Sequence, residues 1–561
     1  MRYCLDTGEP EVRRDPALLH AAFLFILFCA VLLAYSNNFS AGFVYDDYPF
    51  IVNNPAVKDL SNPTRFFVDR ESFSEKGAYV IYRPLAALSF ALNYRLHDDN
   101  PAPYHAVNIM LHAACALVLY WFLHLSFGDS VFSFFASLVF ALHPVQTEAV
   151  SWISGRGNSM FLLFLLLAIM CYRKWSATAK GMYYFLALGL AALSLLAKEM
   201  AVVLPVLLLV YDFFVGRPPA DKWRRRLLAV LPFFVLSFLY IVTRHLVLGV
   251  TQQIGYWGGS PWTALLTMTK GFAYYVRLMF IPRPLMVEYM MPLAYSLFQT
   301  TVMLSILIIL VIIGIFAVSY KSAPQIAFGI AWFFASLIPV SNIVPLKAII
   351  NERFLYLPSI GFAVILAYPL LLRGRLPRRA VGAMLAALSA TALCYGVLTF
   401  DRNRDWRDSL SLWTASVKDS PAGPTSRYNL GLELYNHGRY AEAVEHLQLA
   451  CLLQEKFPSA HGVLGNAYFA LGKLDDAVRE YEIGLSQAPD DERIRRNLGV
   501  AWLEKGKTHA RKGEIGLAVN CLRAALKYYP DFEEAREKLE ELRGRAGAQS
   551  SDANPNQQDA P

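Results

Sequence analysis

The sequence predicts an all-α protein in two parts: a polytopic bundle of about eleven membrane-spanning helices, then a soluble stack of helical-hairpin repeats. Three observations carry that reading. Hydrophobic residues make up 55% of the 561 positions and charged residues only 17%, against about 25% charged in ordinary soluble domains. With aromatics at 14% and mean hydropathy at +0.35, the chain carries more apolar surface than a soluble fold can hide, so the excess faces lipid. Beyond Phe400 the composition turns polar and a 34-residue period sets in. Disorder, collagen-like repetition and a disulfide-rich module are excluded by the same figures. The seven cysteines form no framework: Cys29, Cys115, Cys171 and Cys394 lie in apolar runs, and Cys4, Cys451 and Cys521 stand far apart. No CxxC or zinc-type spacing occurs, so free, buried thiols are expected.

In order along the chain, residues 1–16 form a polar N-terminus. Runs almost without charge then begin near Ala17, His105, Ser130, Gly157, Met182, Ala201, Leu227, Gln299, Ala323, Phe354 and Ala380. Each is long enough to cross the hydrocarbon layer as a helix, and together they define a membrane domain over 17–400. The first run exceeds the apolar core of a signal peptide and lacks a small-residue cleavage site after it, so it reads as a retained anchor.

Orientation follows from the basic residues. Eleven spans place Arg2, Arg13, Arg14, Arg173, Lys174, Lys180, Arg217, Lys222, Arg224, Arg225, Arg226, Lys321, Arg373, Arg375, Arg378 and Arg379 in the cytoplasm. The net charge of +8 is therefore a topological signal and does not point to nucleic acid. Were Pro261–Ile281, with Lys270 and Arg277, a further span, Lys321 and the Arg373–Arg379 loop would move outside. That segment is expected to be interfacial or re-entrant, with the N-terminus inside and the C-terminus outside.

The tail follows a connector, 401–424. Leu430-Gly431, Leu464-Gly465 and Leu498-Gly499 recur at a spacing of 34, as do Gly438 and Gly472. Tyr440-Ala441-Glu442-Ala443 matches Leu474-Asp475-Asp476-Ala477, and Pro458, Pro489 and Pro530 close the units. This is the tetratricopeptide (TPR) period, two antiparallel helices per unit, over 425–543. The third unit carries about seven extra residues, expected near Thr508–Glu514. The polar stretch 544–561 is expected to be disordered.

Chemistry concentrates in the predicted outer loops. The first, 36–104, opens with Asp46-Asp47, and two adjacent carboxylates at a lipid–water boundary suit general-base work. Arg83 lies in the same loop. His143 to Glu148, followed by Gly155-Arg156-Gly157-Asn158, forms the next outer turn. Lys198-Glu199 interrupts two apolar runs, and Glu352-Arg353 opens another span. Ionisable groups held near lipid are costly and so are functional candidates, with a helix-joining ion-pair network as the blander reading. Basic groups beside an acidic pair point to a lipid-phosphate substrate. Arg83, Arg156, Lys198 and Arg353 would bind the phosphate and Asp46 or Asp47 would take a proton from an incoming hydroxyl. His143, Glu148, Glu199 and Glu352 would support them. Nearby cations can do the charge work of a metal, so no metal or other cofactor is obligatory, a divalent ion on the Asp pair being the alternative.

At these residues the chain resembles the transmembrane and tetratricopeptide repeat-containing protein family. The motifs are Tyr45-Asp46-Asp47, Tyr82-Arg83-Pro84-Leu85 with Asn93, Pro103, His105, Asn108 and His112, His143-Pro144 to Arg156, Lys198-Glu199, and Glu352-Arg353 to Ser359. They occur in order and the repeats follow them. The resemblance implies a GT-C fold and a glycosyltransferase, which a single displacement would make inverting. It would move a sugar, often mannose, from a polyprenyl phosphate carrier to a protein hydroxyl on the exoplasmic side. The family's acidic pair maps onto Asp46 and Asp47. The small number of repeats suggests a prokaryotic relative, multi-pass in a bacterial inner membrane, with the repeats periplasmic and their groove gripping the acceptor. A membrane-anchored scaffold for envelope or secretion complexes would account for the tail but not for the clustered charges. A transporter would place its polar groups near mid-membrane.

Overall fold

In the computed structural model, residues 16–75, 81–249 and 255–552 are described. The chain divides into two compact units between Leu412 and Trp413, and no β-strand occurs among the described residues. Cys4 and the basic residues Arg2, Arg13 and Arg14 lie outside them, as do 553–561 of the tail.

The first unit is a helix bundle whose long elements are stopped and started by local signals. Asn100 accepts from the Ala102 N–H to cap the Pro101–Phe127 helix, and left-handed Gly128 closes it. Asp129 caps Ser130–Leu142 in the same way through the Phe132 N–H, and Ser260 caps Pro261–Phe280. Each cap answers backbone donors that the first helical turn leaves unpaired. Several helices bury little of their apolar surface: in Thr300–Ser322 only 11% of the most apolar window is buried, and in Trp223–Leu248 22%. Leu304, Leu307, Leu310 and Val311 stand exposed along the first of these. Faces of that kind are stable only against lipid.

Seven helices among the described residues are long and apolar enough to cross a membrane, or eight if the bent pair Ser130–Leu142 and Pro144–Val150 is one span. The expected eleven is not reached, for local reasons. The bend of 54° falls at His143-Pro144, where the residue before proline is extended and leaves the helix. The Met182 run forms Gly181–Ala197, which stops where Lys198 turns extended. The Ala323 run forms Pro324–Ser336 and then a 3₁₀ turn at Ile338–Val340. The Phe354 run yields only Ser359–Ala367 before passing into 3₁₀ geometry at Tyr368–Arg375. The predicted outer loop is itself built, with short helical turns after Ser36 and a full helix at Pro84–His97. The first part of the predicted connector belongs to this unit: Asn403 donates to Ala34 O and Asn37 Oδ1, at 2.9 Å each, and accepts from Ser151.

The second unit contains the repeats. Helices Pro424–Asn436, Pro458–Ala470 and Glu492–Arg511 alternate with Tyr440–Leu453, Leu474–Gln487 and Ile515–Tyr528. In the first two hairpins a glycine meets a residue sixteen positions on: a Cβ on Gly431 would strike Leu447, and one on Gly465 would strike Tyr481. In the third the same contact is Gly506 with Leu522, and the following turn glycine, Gly513, shares the positive φ of Gly438 and Gly472. The extra residues therefore lie before Gly506, not at Thr508–Glu514. They lengthen one helix to 20 residues where its counterparts have 13, and about two helical turns bring the packing face back into register. The last helix, Glu533–Asp552, extends through part of the stretch expected to be disordered.

All six described cysteines are free; Cys115 and Cys521 are buried, whereas Cys394 is exposed on the Arg378–Arg402 helix and the others are half-buried.

Candidate active site

The motif residues converge on the N-terminal end of the Gly157–Thr178 helix. Before that helix the chain turns sharply through Ile153–Arg156. A Cβ on Gly155 would lie 2.8 Å from Glu148 O and 2.9 Å from Ala149 O, so only glycine lets this turn press against the preceding one.

The acidic pair is pinned against that turn. Asp47 is fully buried. Its Oδ2 accepts from the Val44 N–H at 3.0 Å, and its Oδ1 from the Ser154 N–H at 2.8 Å and the Ser154 hydroxyl at 2.5 Å. Burial pushes the Asp47 carboxyl up to about 7, against the opposing pull of those donors. Asp46 is only half-buried. The residue before it, Tyr45, holds a left-handed φ of 51°, a strained conformation for a bulky side chain. Its ring stacks on Trp152 at 6.1 Å, which fixes the turn that presents Asp46.

Three cations gather beside the pair. Arg83 forms a two-pronged bond to Glu199, Nε to Oε2 at 2.9 Å and Nη2 to Oε1 at 2.6 Å. Lys198 is buried and donates to Asn158. A Cβ on Gly157 would lie 3.9 Å from Lys198 Cβ and 4.0 Å from Arg83 Cδ, so both side chains lie against the same helix end. Lys198 also lies within electrostatic reach of Arg353 and Glu148, and Arg83 within reach of Asp46. Arg353 pairs with Glu148 through its guanidinium and donates its backbone N–H to the same carboxylate at 2.7 Å. Its guanidinium lies over Trp152, 5.5 Å from the ring centre. The side chains of Arg83 and Arg353 are 24% and 27% exposed, so both remain partly accessible. A narrow apolar cleft beside Arg83 and Ser154 is lined by Phe50, Phe73, Ile81 and Phe90.

Three expected site residues are taken up by structural partners. Arg156 has no exposure at all. It donates to Asn108 Oδ1 at 2.8 Å, Asn93 Oδ1 at 2.7 Å, Tyr104 O at 3.1 Å, and Ser89 O and Oγ at 3.2 and 3.1 Å. Its plane lies 4.6 Å from the Phe90 ring centre. A guanidinium committed to this many partners staples helices together and cannot meet a phosphate, which corrects the expected role. His143 is buried at the bend, where Nε2 bonds Met279 O at 3.0 Å and the ring lies 4.4 Å from Tyr395; it ties helices rather than supporting the cations. Glu352 pairs with Arg402 at 3.4 Å and accepts from Tyr289 at 2.9 Å, and burial raises its carboxyl above the ordinary range.

Ser154 and Trp152 were not singled out in the sequence. Their signal was their place just before Gly155-Arg156-Gly157. Among the described residues, no group of three or more His, Cys, Asp and Glu side chains is placed to hold a metal ion.

The helices and the repeats define a class: a multi-pass helical membrane protein with a tetratricopeptide array. Tetratricopeptide-repeat models match residues 397–461 and 500–532, and a TPR-repeat model matches 465–506. The chain is similar to human protein O-mannosyl-transferase TMTC3, 26% identical over 90% of this chain and 60% of that protein. It is similar to human protein O-mannosyl-transferase TMTC1 at 27% over 93% of this chain and 64% of the relative, and to Caenorhabditis elegans protein O-mannosyl-transferase F38B6.6 at 29% over 77% and 63%. The resemblance to the transmembrane and tetratricopeptide repeat-containing family thus extends along nearly the whole chain, while the chain spans about three-fifths of the length of these relatives.

Proposed function

We propose that the protein is an inverting glycosyltransferase that moves a sugar, mannose in the first instance, from a polyprenyl phosphate to a protein hydroxyl. The observation that carries this reading is the convergence of Arg83, Lys198 and Arg353 beside the half-buried Asp46 at one helix end. The similarity to named O-mannosyl-transferases supports the acceptor and the sugar. The acceptor oxygen attacks the anomeric carbon as the carbon–oxygen bond to phosphate breaks, and the bonding pair leaves with the phosphate. Asp46 receives the hydroxyl proton. The cations stabilise the departing phosphate, which then needs no protonation. Single displacement through an oxocarbenium-like state inverts the centre. Asp47, closed in by Val44 and Ser154, holds the loop that presents Asp46.

The basic loops at the far end of the same helices support a reaction on the exoplasmic face through the positive-inside rule, periplasmic if the membrane is a bacterial inner membrane. The repeats are assigned to gripping the acceptor, the ordinary use of a solenoid groove. The test is transfer of labelled mannose from polyprenyl-phosphate mannose to serine- and threonine-containing peptides by the purified chain. Product with inverted anomeric configuration is expected, and retained configuration would rule out single displacement.

Two predictions arise here. Glu199 occupies Nε and Nη2 of Arg83, and Glu148 occupies Nη1 of Arg353, so each cation is pre-oriented by a carboxylate while its side chain stays partly exposed. Arg353→Lys keeps the charge and loses the planar fork. Donor affinity, measured by titration, should fall about 3–10-fold in Arg353→Lys and at least 10-fold in Arg353→Gln, a loss of about 1.4 kcal/mol or more. Normal affinity in both would make Arg353 a purely structural partner of Glu148. The reading uses no obligatory metal, so transfer should persist after exhaustive chelation. Loss of activity restored by Mg²⁺ or Mn²⁺ would instead put an ion on the Asp pair.

A further inference from the structure

We propose a second anion site, separate from the reaction centre, that takes the phosphate-bearing headgroup of an anionic membrane lipid. It lies at the other end of the Gly157–Thr178 helix, whose 22 residues span about 33 Å. There a cavity of about 550 Å³ opens among the last turns of Pro101–Phe127 and Gly157–Thr178 and the first turns of Trp223–Leu248. That volume falls within the range of small-ligand sites, about 300–1,000 Å³.

Arg173, Lys222, Arg225 and Arg226 line the cavity, and among the described residues no Asp or Glu does. Arg226 is held in place over Trp175 and Tyr172, bonds Ser176, and lies 3.9 Å from the buried Asp212. Arg173 donates to Leu125 O at 2.8 Å. The side chains of Lys222 and Arg225 are exposed and, among the described residues, make no hydrogen bond or ion pair. Three of these cations crowd the start of Trp223–Leu248, which has no acidic residue in its first turn. Positive charge at the positive end of a helix dipole is unfavourable, and four like charges around one cavity add to it. A bound anion offsets both.

The surroundings select a lipid rather than a soluble anion. Leu227, Leu228 and Leu231 are more than half exposed and lead from the cavity along the apolar helix, where acyl chains would lie. A neighbouring cleft adds Arg217 and Lys321 with Trp223 and Tyr320. Trp and Tyr beside Lys and Arg mark the membrane interface, and basic pockets between helices at that level bind anionic headgroups.

The test is native mass spectrometry of the full chain in mixed micelles of phosphatidylglycerol and phosphatidylcholine. Wild type should retain phosphatidylglycerol in preference, and the double variant Lys222→Gln/Arg225→Gln should retain at least tenfold less. Lys222→Arg/Arg225→Lys, which keeps both charges, should retain it as wild type does. Arg404→Gln, a change in an exposed ion pair with Asp401, should have no effect. Equal retention of the two lipids, or full retention by the Lys222→Gln/Arg225→Gln variant, would overturn the site. Displacement of the lipid by inorganic phosphate would assign it to a soluble anion and overturn the lipid source.

Discussion

Asp46→Asn is expected to lower transfer by about 10²–10⁴-fold, the scale of losing a general base, in a protein that folds and binds donor as wild type does. Asparagine keeps the shape of the half-buried side chain and removes only its capacity to take a proton. Asp47→Asn should behave differently, because both Asp47 oxygens accept from backbone N–H groups of Val44 and Ser154. An amide there sets an NH₂ against one of those donors, and an unmet buried donor costs about 1–3 kcal/mol. The expected result is a lower melting temperature, with a smaller loss of rate than in Asp46→Asn. Steady-state kinetics and thermal melts of the two variants in parallel check this. An Asp46→Asn enzyme at full rate would remove Asp46 from the reaction.

Arg156→Gln is expected to destabilise the membrane unit, at about 1–3 kcal/mol for each buried acceptor that it leaves unmet. The fan of bonds to Asn93, Asn108, Tyr104 and Ser89 joins Pro84–His97, Pro101–Phe127 and the turn before Gly157–Thr178. Lysine does not rescue it, because one ammonium cannot reach acceptors spread around a planar guanidinium. Thermal unfolding of the detergent-solubilised chain is the readout. A phosphate-binding arginine would show the opposite pattern, a normal melting temperature with weakened donor binding.

Arg156 also marks where the sequence stops being legible. Its neighbours Gly155 and Gly157 announced a tight turn, but nothing in Gly-Arg-Gly says whether that turn faces a cavity or the core. The answer depends on Asn93 and Asn108, tens of residues earlier. The Asp46-Asp47 pair was legible as chemistry and not as a division of labour, because the three donors that enclose Asp47 come from Val44 and Ser154. The same holds for Lys198, Arg83 and Arg353, whose convergence is a property of the fold. The repeats were the most legible part, since their spacing is local and periodic. Even there, Leu498-Gly499 kept the 34-residue phase while the packing glycine had moved to Gly506, because seven residues inserted into a helix restore its face. The eleven apolar runs do not all become helices of full spanning length, because prolines and Lys198 bend or shorten four of them.

The central claim, sugar transfer to protein hydroxyls at the Asp46 end of the bundle, is tested most directly in cells that carry the gene. Glycopeptides of exported proteins would be compared by mass spectrometry after deletion of the gene and after complementation with wild type or Asp46→Asn. Hexose on serine and threonine should vanish on deletion, return with wild type and stay absent with Asp46→Asn. The same glycopeptides in all three strains would contradict the account.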